Sequence, residues 1–232
     1  MIIAVLIPAR NEATSIAATV AAAVAIPQVT RVIVIDDGSE DDTDQIAEKA
    51  GAKVVRLLGS HGKGAALEAG ARRVEDADIV LLLDGDLRDS AEQGALLTAP
   101  LLANVADMTI AAFPRPAGKA GFGLVMSLAR WGITRLGGDF DAQAPLSGQR
   151  ALTRACLATA RPFSAGYGVE VGLTVRALRA GFRLVEVDTT MSHAATGRDL
   201  AGFVHRGRQF VHVGLALLSL WRQKAPNRRE SS

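Results

Sequence analysis

One cysteine in 232 residues, Cys156, leaves no internal disulfide to form and excludes a cysteine-cluster metal site. Its apolar neighbours mark it as a small core residue rather than a nucleophile. No run reaches the roughly 18 uninterrupted apolar residues of a membrane-spanning helix. The apolar opening, 1–8, lacks a basic region before it and a cleavage site after it, so it is read as a first strand rather than a leader. Charge of one sign is also scarce. With 26 basic and 24 acidic residues the net is +2, too weak a field to draw nucleic acid. Two phosphate-binding signatures are missing as well. There is no GxxxxGK[ST] and no GxGxxG at the first strand-to-helix turn, which counts against a P-loop ATPase and a dinucleotide dehydrogenase.

Hydrophobic residues make up 49% and charged residues 22%, too apolar for a disordered chain and enough for a substantial core. Strand-like runs at 2–7, 31–35, 53–57 and 79–83 alternate with helix-like stretches at 12–25, 42–50 and 64–74. Such alternation predicts an α/β fold with a mainly parallel central sheet and helices on both faces. The wholly apolar runs 32–35 and 79–83 match strands covered on both sides. The second half is less regular. A strand is expected at 108–112 and a glycine-rich connection at 114–123. Helices follow near 124–136, 152–159 and 169–180, then a strand at 183–188 and a helix over 200–222. One domain, 1–222, is predicted, divided into a nucleotide-binding half (1–112) and an acceptor-side half (113–222). A polar tail, 223–232, should fray.

Ligands in open sheets of this kind bind beyond the carboxyl ends of the strands. Four consecutive strand ends here are polar: Pro8-Ala9-Arg10-Asn11-Glu12, Asp36-Asp37-Gly38-Ser39, Gly59 to Gly64, and Asp84-Gly85-Asp86. The last is the most informative, because a buried apolar strand stops abruptly in two carboxylates spaced by a glycine. Carboxylate oxygens suit hard cations such as Mg²⁺ or Mn²⁺, which neutralise phosphate charge. Asp-Gly-Asp is also an ordinary turn. Asp36-Asp37-Gly38-Ser39 fits an Asp-rich turn, or an acceptor for ribose or base donors. Gly62-Lys63-Gly64 opens a helix, where backbone and ammonium present positive potential to a phosphate.

In order and spacing, Ile7-Pro-Ala-Arg-Asn-Glu12, Val34-Ile-Asp-Asp-Gly-Ser39, Gly62-Lys-Gly64 and Leu83-Asp-Gly-Asp86 resemble the family-2-type glycosyltransferases of the GT-A, Rossmann-like nucleotide-diphospho-sugar transferase fold. Pro145-Leu-Ser-Gly148, Gly166-Tyr-Gly-Val-Glu-Val-Gly172 and His193 are similar to the glucosyl-3-phosphoglycerate synthase branch. The resemblance implies a divalent metal, Mg²⁺ or Mn²⁺, held by Asp86 and His193. It places Pro8 to Glu12, Asp36 to Ser39, Lys63, Asp84 and Gly85 at a nucleotide-sugar donor. Gly148, Tyr167, Gly168 and Glu170 fall on the acceptor side, with Asp86, Glu170 and Arg198 as catalytic candidates. Arg198 would pair with the departing phosphate, and Glu170 would position the acceptor hydroxyl or the donor sugar.

The implied reaction is metal-dependent transfer of a hexose, from a UDP-linked donor such as UDP-glucose, to a hydroxyl acceptor. That acceptor is a small phosphorylated acid in one branch and a polyprenyl phosphate in another. Retention of configuration goes with the synthase-like segment, inversion with the wider family. Gly121-Phe-Gly-Leu-Val-Met126 departs from the synthases' Arg/Thr-containing phosphate-binding segment, and the chain begins later than a typical synthase, so the acceptor is not transferred. A nucleotidyltransferase and a non-catalytic nucleotide-sugar binder are the rivals. The apolar stretch 210–221 packs on the domain, forms a homodimer face or touches a membrane surface. A cytoplasmic location, or a peripheral one at the inner membrane, is expected, with no nucleic-acid partner.

Overall fold

The computed structural model describes residues 1–113, 123–164, 168–192 and 200–223, the stretch 200–209 as backbone only. A seven-stranded sheet runs through the middle in the order β3-β2-β1-β4-β6-β5-β7. The strands are β1 (Ile3–Ala9), β2 (Val29–Asp36), β3 (Lys53–Arg56), β4 (Ile79–Leu82), β5 (Met108–Ala112), β6 (Arg150–Thr153) and β7 (Leu184–Asp188). β3, β2, β1 and β4 are parallel neighbours, β5 is parallel to β7, and β6 alone runs antiparallel, between β4 and β5.

β1 lies at the centre of the parallel part, and Ile3 to Ile7 are all fully buried. Alternation then divides the core into two. Ile3, Val5 and Ile7 face α1 (Ile16–Ala25), α2 (Thr43–Lys49) and α4 (Gly94–Leu102), while Ala4 and Leu6 face α3 (Lys63–Ala71), α6 (Arg154–Ala160) and α7 (Val169–Arg179). Helices therefore cover both faces, as the apolar runs required. A third cluster, built on Val125, Ala129, Ile133, Val171, Val175, Val213, Leu217 and Leu220, joins α5 (Gly123–Gly137) and α8 (Leu200–Arg222) to the far side of α7.

Register decides where the chemistry falls. Ala9 pairs with Asp36, Asp36 with Arg56, and Leu6 with Leu82, so the loops after β1, β2, β3 and β4 leave one edge of the sheet at nearly one level.

Two expectations are corrected. The first helix begins at Ile16, not residue 12: Asn11 takes φ 55°, and the amides of Glu12 and Ala13 are held by Thr43 Oγ1 (2.8 Å) and Asp41 Oδ2 (3.2 Å). Those side chains compete with helical bonding, as short polar groups do. The stretch read as a helix from 152 begins as β6, because Thr153 caps α6 by accepting from the Cys156 amide (3.3 Å). A 3-10 turn, Arg88–Gln93, and α4 went unread between β4 and β5. The helix over 200–222 and the strand over 108–112 coincide with α8 and β5.

Candidate active site

The first two strand-end loops are stitched together by their own polar groups. Asp36, buried, accepts from the Ser39 amide (3.1 Å) and the Ser39 hydroxyl; Ser39 Oγ accepts from the Asn11 amide (3.0 Å); Asn11 Oδ1 accepts from the Glu40 amide (2.8 Å). Asp37, also buried, reaches sideways to the next loop. Its Oδ1 accepts from the His61 amide (2.8 Å), and its Oδ2 from the Gly62 amide (2.8 Å) and Ser60 Oγ (3.1 Å). Arg10 Nη1 donates to the same Ser60 Oγ (2.8 Å). Gly38, at φ +72°, lies so close to Gly59 that a Cβ would sit 2.7 Å from its carbonyl carbon, so no other residue fits this crossing of loops. In this structure Asp36 and Asp37 thus shape the Arg10–Ser39–Gly62 rim.

Lys63 opens α3 behind Gly62 and ends between two carboxylates. Its Nζ lies 2.7 Å from Asp84 Oδ1 and 3.1 Å from Glu170 Oε1 on the first turn of α7. Asp84 Oδ2 accepts from Gln149 Nε2 (2.7 Å). A chain of contacts, Glu170 to Lys63 to Asp84 to Gln149, therefore ties α7, α3, the end of β4 and the start of β6. Burial works against the Lys63 ammonium, yet the neighbouring carboxylates of Asp84 and Glu170 outweigh it and hold its pKa above the ordinary lysine value. Gly148 makes room for the pair, since a Cβ there would stand 2.9 Å from Asp84 Oδ2 and nearer still to Lys63 Nζ.

Beneath this chain, Arg150 is wholly buried, donating to the Ser147 carbonyl (2.9 Å) and Thr174 Oγ1 (2.8 Å). Burial pushes its pKa down to about 10 despite the opposing fields of Glu170 and Glu186. Gln149 and Arg150 were not among the candidates read from sequence. The available signal was a charged and an amide side chain at the head of the short apolar run Ala151-Leu152, which reads as a strand only once β4 and β5 are seen flanking it.

On the other side of Asp84, the 85–88 turn is pinned to α1. Thr19 Oγ1 donates to the Gly85 carbonyl (2.9 Å) and accepts from the Arg88 amide (2.8 Å). Gly85 itself packs against Glu12 and Ala9. Glu12 accepts from Ser15 Oγ (2.7 Å), and its pKa is raised, first by burial and then, against the Ser15 bond, by the charges of Asp86, Asp84 and Asp41. Negative charge from Asp86, Asp84 and Asp41 thus bears on Glu12; among the described residues no group of three such side chains could hold a metal ion, and the carboxylate oxygens of Asp86 are of the kind that suits a hard divalent cation.

His193, Arg198 and Tyr167 lie outside the described residues. The chain leading to position 193 is nevertheless fastened near the Asp86 turn. Ser192 N donates to Ser90 Oγ (3.2 Å), and Thr190 and Gln93 exchange two bonds of 2.8 Å. Gly168 packs on α8, where a Cβ would stand 3.1 Å from the His212 carbonyl. A cavity of about 550 Å³ opens nearby at the ends of β5 and β7, lined by Gln93, Phe113, Asp188 and Thr190 among others.

Comparison with known proteins gives a consistent answer. The model of the family described as "Glycosyl transferase family 2" matches residues 4–148. Glycosyltransferase AglJ of Haloferax volcanii is 32% identical over 205 residues, covering 85% of this chain and 65% of that protein. Glucosyl-3-phosphoglycerate synthase of Mycolicibacterium paratuberculosis is 34% identical over 195 residues, covering 75% of this chain and 59% of that protein. The chain thus spans 59% to 65% of the length of these relatives. The crystal structure of glucosyl-3-phosphoglycerate synthase from Mycobacterium tuberculosis, in complex with Mn²⁺, UDP and phosphoglyceric acid, superposes with a TM-score of 0.76 at 30% identity. That match covers 97% of this chain and 79% of the other.

Proposed function

This chain belongs to glycosyl transferase family 2, and on that premise we propose that it is a metal-dependent transferase moving a hexose from a UDP-linked sugar to a hydroxyl acceptor. The observation that carries the reading is the convergence, on one sheet edge, of the β1 and β2 loops with Asp84, Asp86, Lys63 and Glu170. Its support is the donor and metal named for the M. tuberculosis relative.

The division of labour follows from the contacts. The rim formed by Arg10, Asn11, Asp37 and Ser39 receives the nucleoside, because its polar side chains are held before any ligand arrives: Arg10 and Asp37 on Ser60, Ser39 on the Asn11 amide and Asn11 on the Glu40 amide. Lys63 fixes Asp84 and Glu170 at a set separation and offsets their charge. Glu170, nearly buried at the start of α7, then orients the sugar or the acceptor hydroxyl from a position that does not depend on solvent. Asp86 and His193 would hold the divalent cation, which supplies charge neutralisation to a departing diphosphate. Arg198 is assigned to the same phosphate.

The test is thermal stability with UDP, UDP-glucose and GDP, with and without Mn²⁺, on the native chain and on Asp86→Ala. A ligand at 100 times its Kd stabilises by about 2.7 kcal/mol, a rise of roughly 5–11 °C for a chain of this size. The expected result is a UDP-selective rise that needs Mn²⁺ and disappears in Asp86→Ala together with turnover. A rise indifferent to metal, or near-normal turnover by the variant, overturns the assignment.

A further inference from the structure

Among the described residues, seven of the twelve exposed large hydrophobic side chains lie on α5 and α8. Each helix repeats one pattern. On α5, Leu124, Leu128, Trp131 and Arg135 follow at steps of four, three and four; on α8, Val211, Leu215, Leu218 and Arg222 do the same. That spacing is a single helix face. Apart from Leu128, half-buried against the inner cluster, it is not the face that packs inward, since Val125, Ala129 and Ile133, and Val213, Leu217 and Leu220, fill the cluster against α7. Arg179 draws the two carboxyl ends together, donating to the Leu136 carbonyl and the Leu220 carbonyl at 2.8 Å each. Trp131 (61% exposed) and Trp221 (69% exposed) consequently line one apolar groove of about 450 Å³ with Arg135.

Charge selects the occupant. Neither helix contains Asp or Glu, while their sequences together carry Arg130, Arg135, Arg206, Arg208 and Arg222; Arg135 and Arg222 stand exposed, whereas Arg130 donates to the Gln143 carbonyl (3.1 Å). Five arginines exceed the chain's whole excess of +2, so everything outside these two helices is net acidic. A two-fold dimer through this face would set one arginine-bearing surface on another, with no carboxylate on either helix to answer it. An anionic lipid surface answers both features. Tryptophans settle at the boundary between headgroups and acyl chains, and arginines beside them meet lipid phosphates.

We propose that the α5–α8 face is a peripheral docking surface for anionic membranes, lying in the headgroup layer rather than crossing it. No helix among the described residues is long and apolar enough to cross a membrane. The docking is independent of the catalytic reading.

Trp131 and Trp221 are the only tryptophans in the sequence, so intrinsic fluorescence reports this face alone. The full chain is titrated with vesicles of phosphatidylglycerol in phosphatidylcholine, and with vesicles of phosphatidylcholine alone. The expected result is a blue shift and co-sedimentation on the anionic vesicles only, weakened by salt. Arg135→Gln and Arg222→Gln should each lower binding about fivefold. Both positions are exposed, so unchanged melting temperatures will show that these variants fold. Absence of binding to anionic vesicles, or equal binding to neutral ones, overturns the proposal. So does a dimer in solution whose tryptophan emission is already blue-shifted and ignores vesicles, because that assigns the face to a second copy.

Discussion

Replacing Lys63 with Met removes the ammonium that stands between Asp84 and Glu170, contacts of 2.7 and 3.1 Å. Breaking a buried pair by deleting one partner costs about 3–5 kcal/mol. Here the lysine and Asp84 side chains keep 28% and 26% exposure, and Asp84 retains its Gln149 bond, so about 2–3 kcal/mol is the better figure. At roughly 2–4 °C per kcal/mol, Tm should fall by about 4–12 °C at pH 7.5. With its pKa raised from 10.5, the contribution of Lys63 is complete below pH 10.5 and lost only as pH climbs through the higher folded value, so the lysine does not itself titrate near neutrality.

The variant's deficit comes from two facing carboxylates, and removing the charge of one by substitution relieves it. Glu170→Gln added to Lys63→Met should recover much of the loss, because the pair couples. Differential scanning calorimetry of the two variants and the native chain measures both quantities. A Tm fall under about 1 °C, or simple additivity in the double variant, would refute the reasoning and leave Lys63 an ordinary exposed lysine.

Gly148→Ala drives a methyl against Asp84 Oδ2 and Lys63 Nζ and should cost about 1–3 kcal/mol, less in a Lys63→Met background where the ammonium is gone; equal penalties in both backgrounds, read by thermal melts, would discount the crowding. Glu12 has a folded pKa raised from 4.5, so the folded state binds the extra proton and stability falls as pH rises from 4.5 through the folded value. Glu12→Gln keeps an acceptor for Ser15 and carries no charge. It should match the native chain near pH 4 and exceed its Tm at pH 7 in the absence of divalent cations, an order that calorimetry at the two pH values would reverse if Glu12 were stabilised as a carboxylate.

Much of this protein is local and therefore legible in one dimension. Continuous apolar runs such as Val32 to Ile35 and Ile79 to Leu83 can only be strands covered on both sides, and their alternation with helical stretches dictates parallel crossovers. Parallel crossovers put all four polar strand ends on one edge, which is why the loops at Pro8 to Glu12, Asp36 to Ser39, Lys63 and Asp84 to Asp86 are recognisable as one region from the sequence. What a single chain direction cannot show is pairing across distance. β6 is four residues long, antiparallel, and buried by β4 and β5 from far along the sequence, so Arg150 and Gln149 look like surface polar residues until their neighbours arrive. Lys63 reads as a phosphate-binding lysine from its glycine neighbours. Only the fold brings Glu170, 107 positions later, to its ammonium and shows it holding carboxylates apart. The face on α5 and α8 is another such case, because two helices separated by more than 60 residues repeat one pattern that becomes a surface only when Arg179 joins their ends. Local composition sets which elements form and which way they point. Long-range packing alone decides which charges meet, since electrostatic partners are chosen by proximity in space and not along the chain.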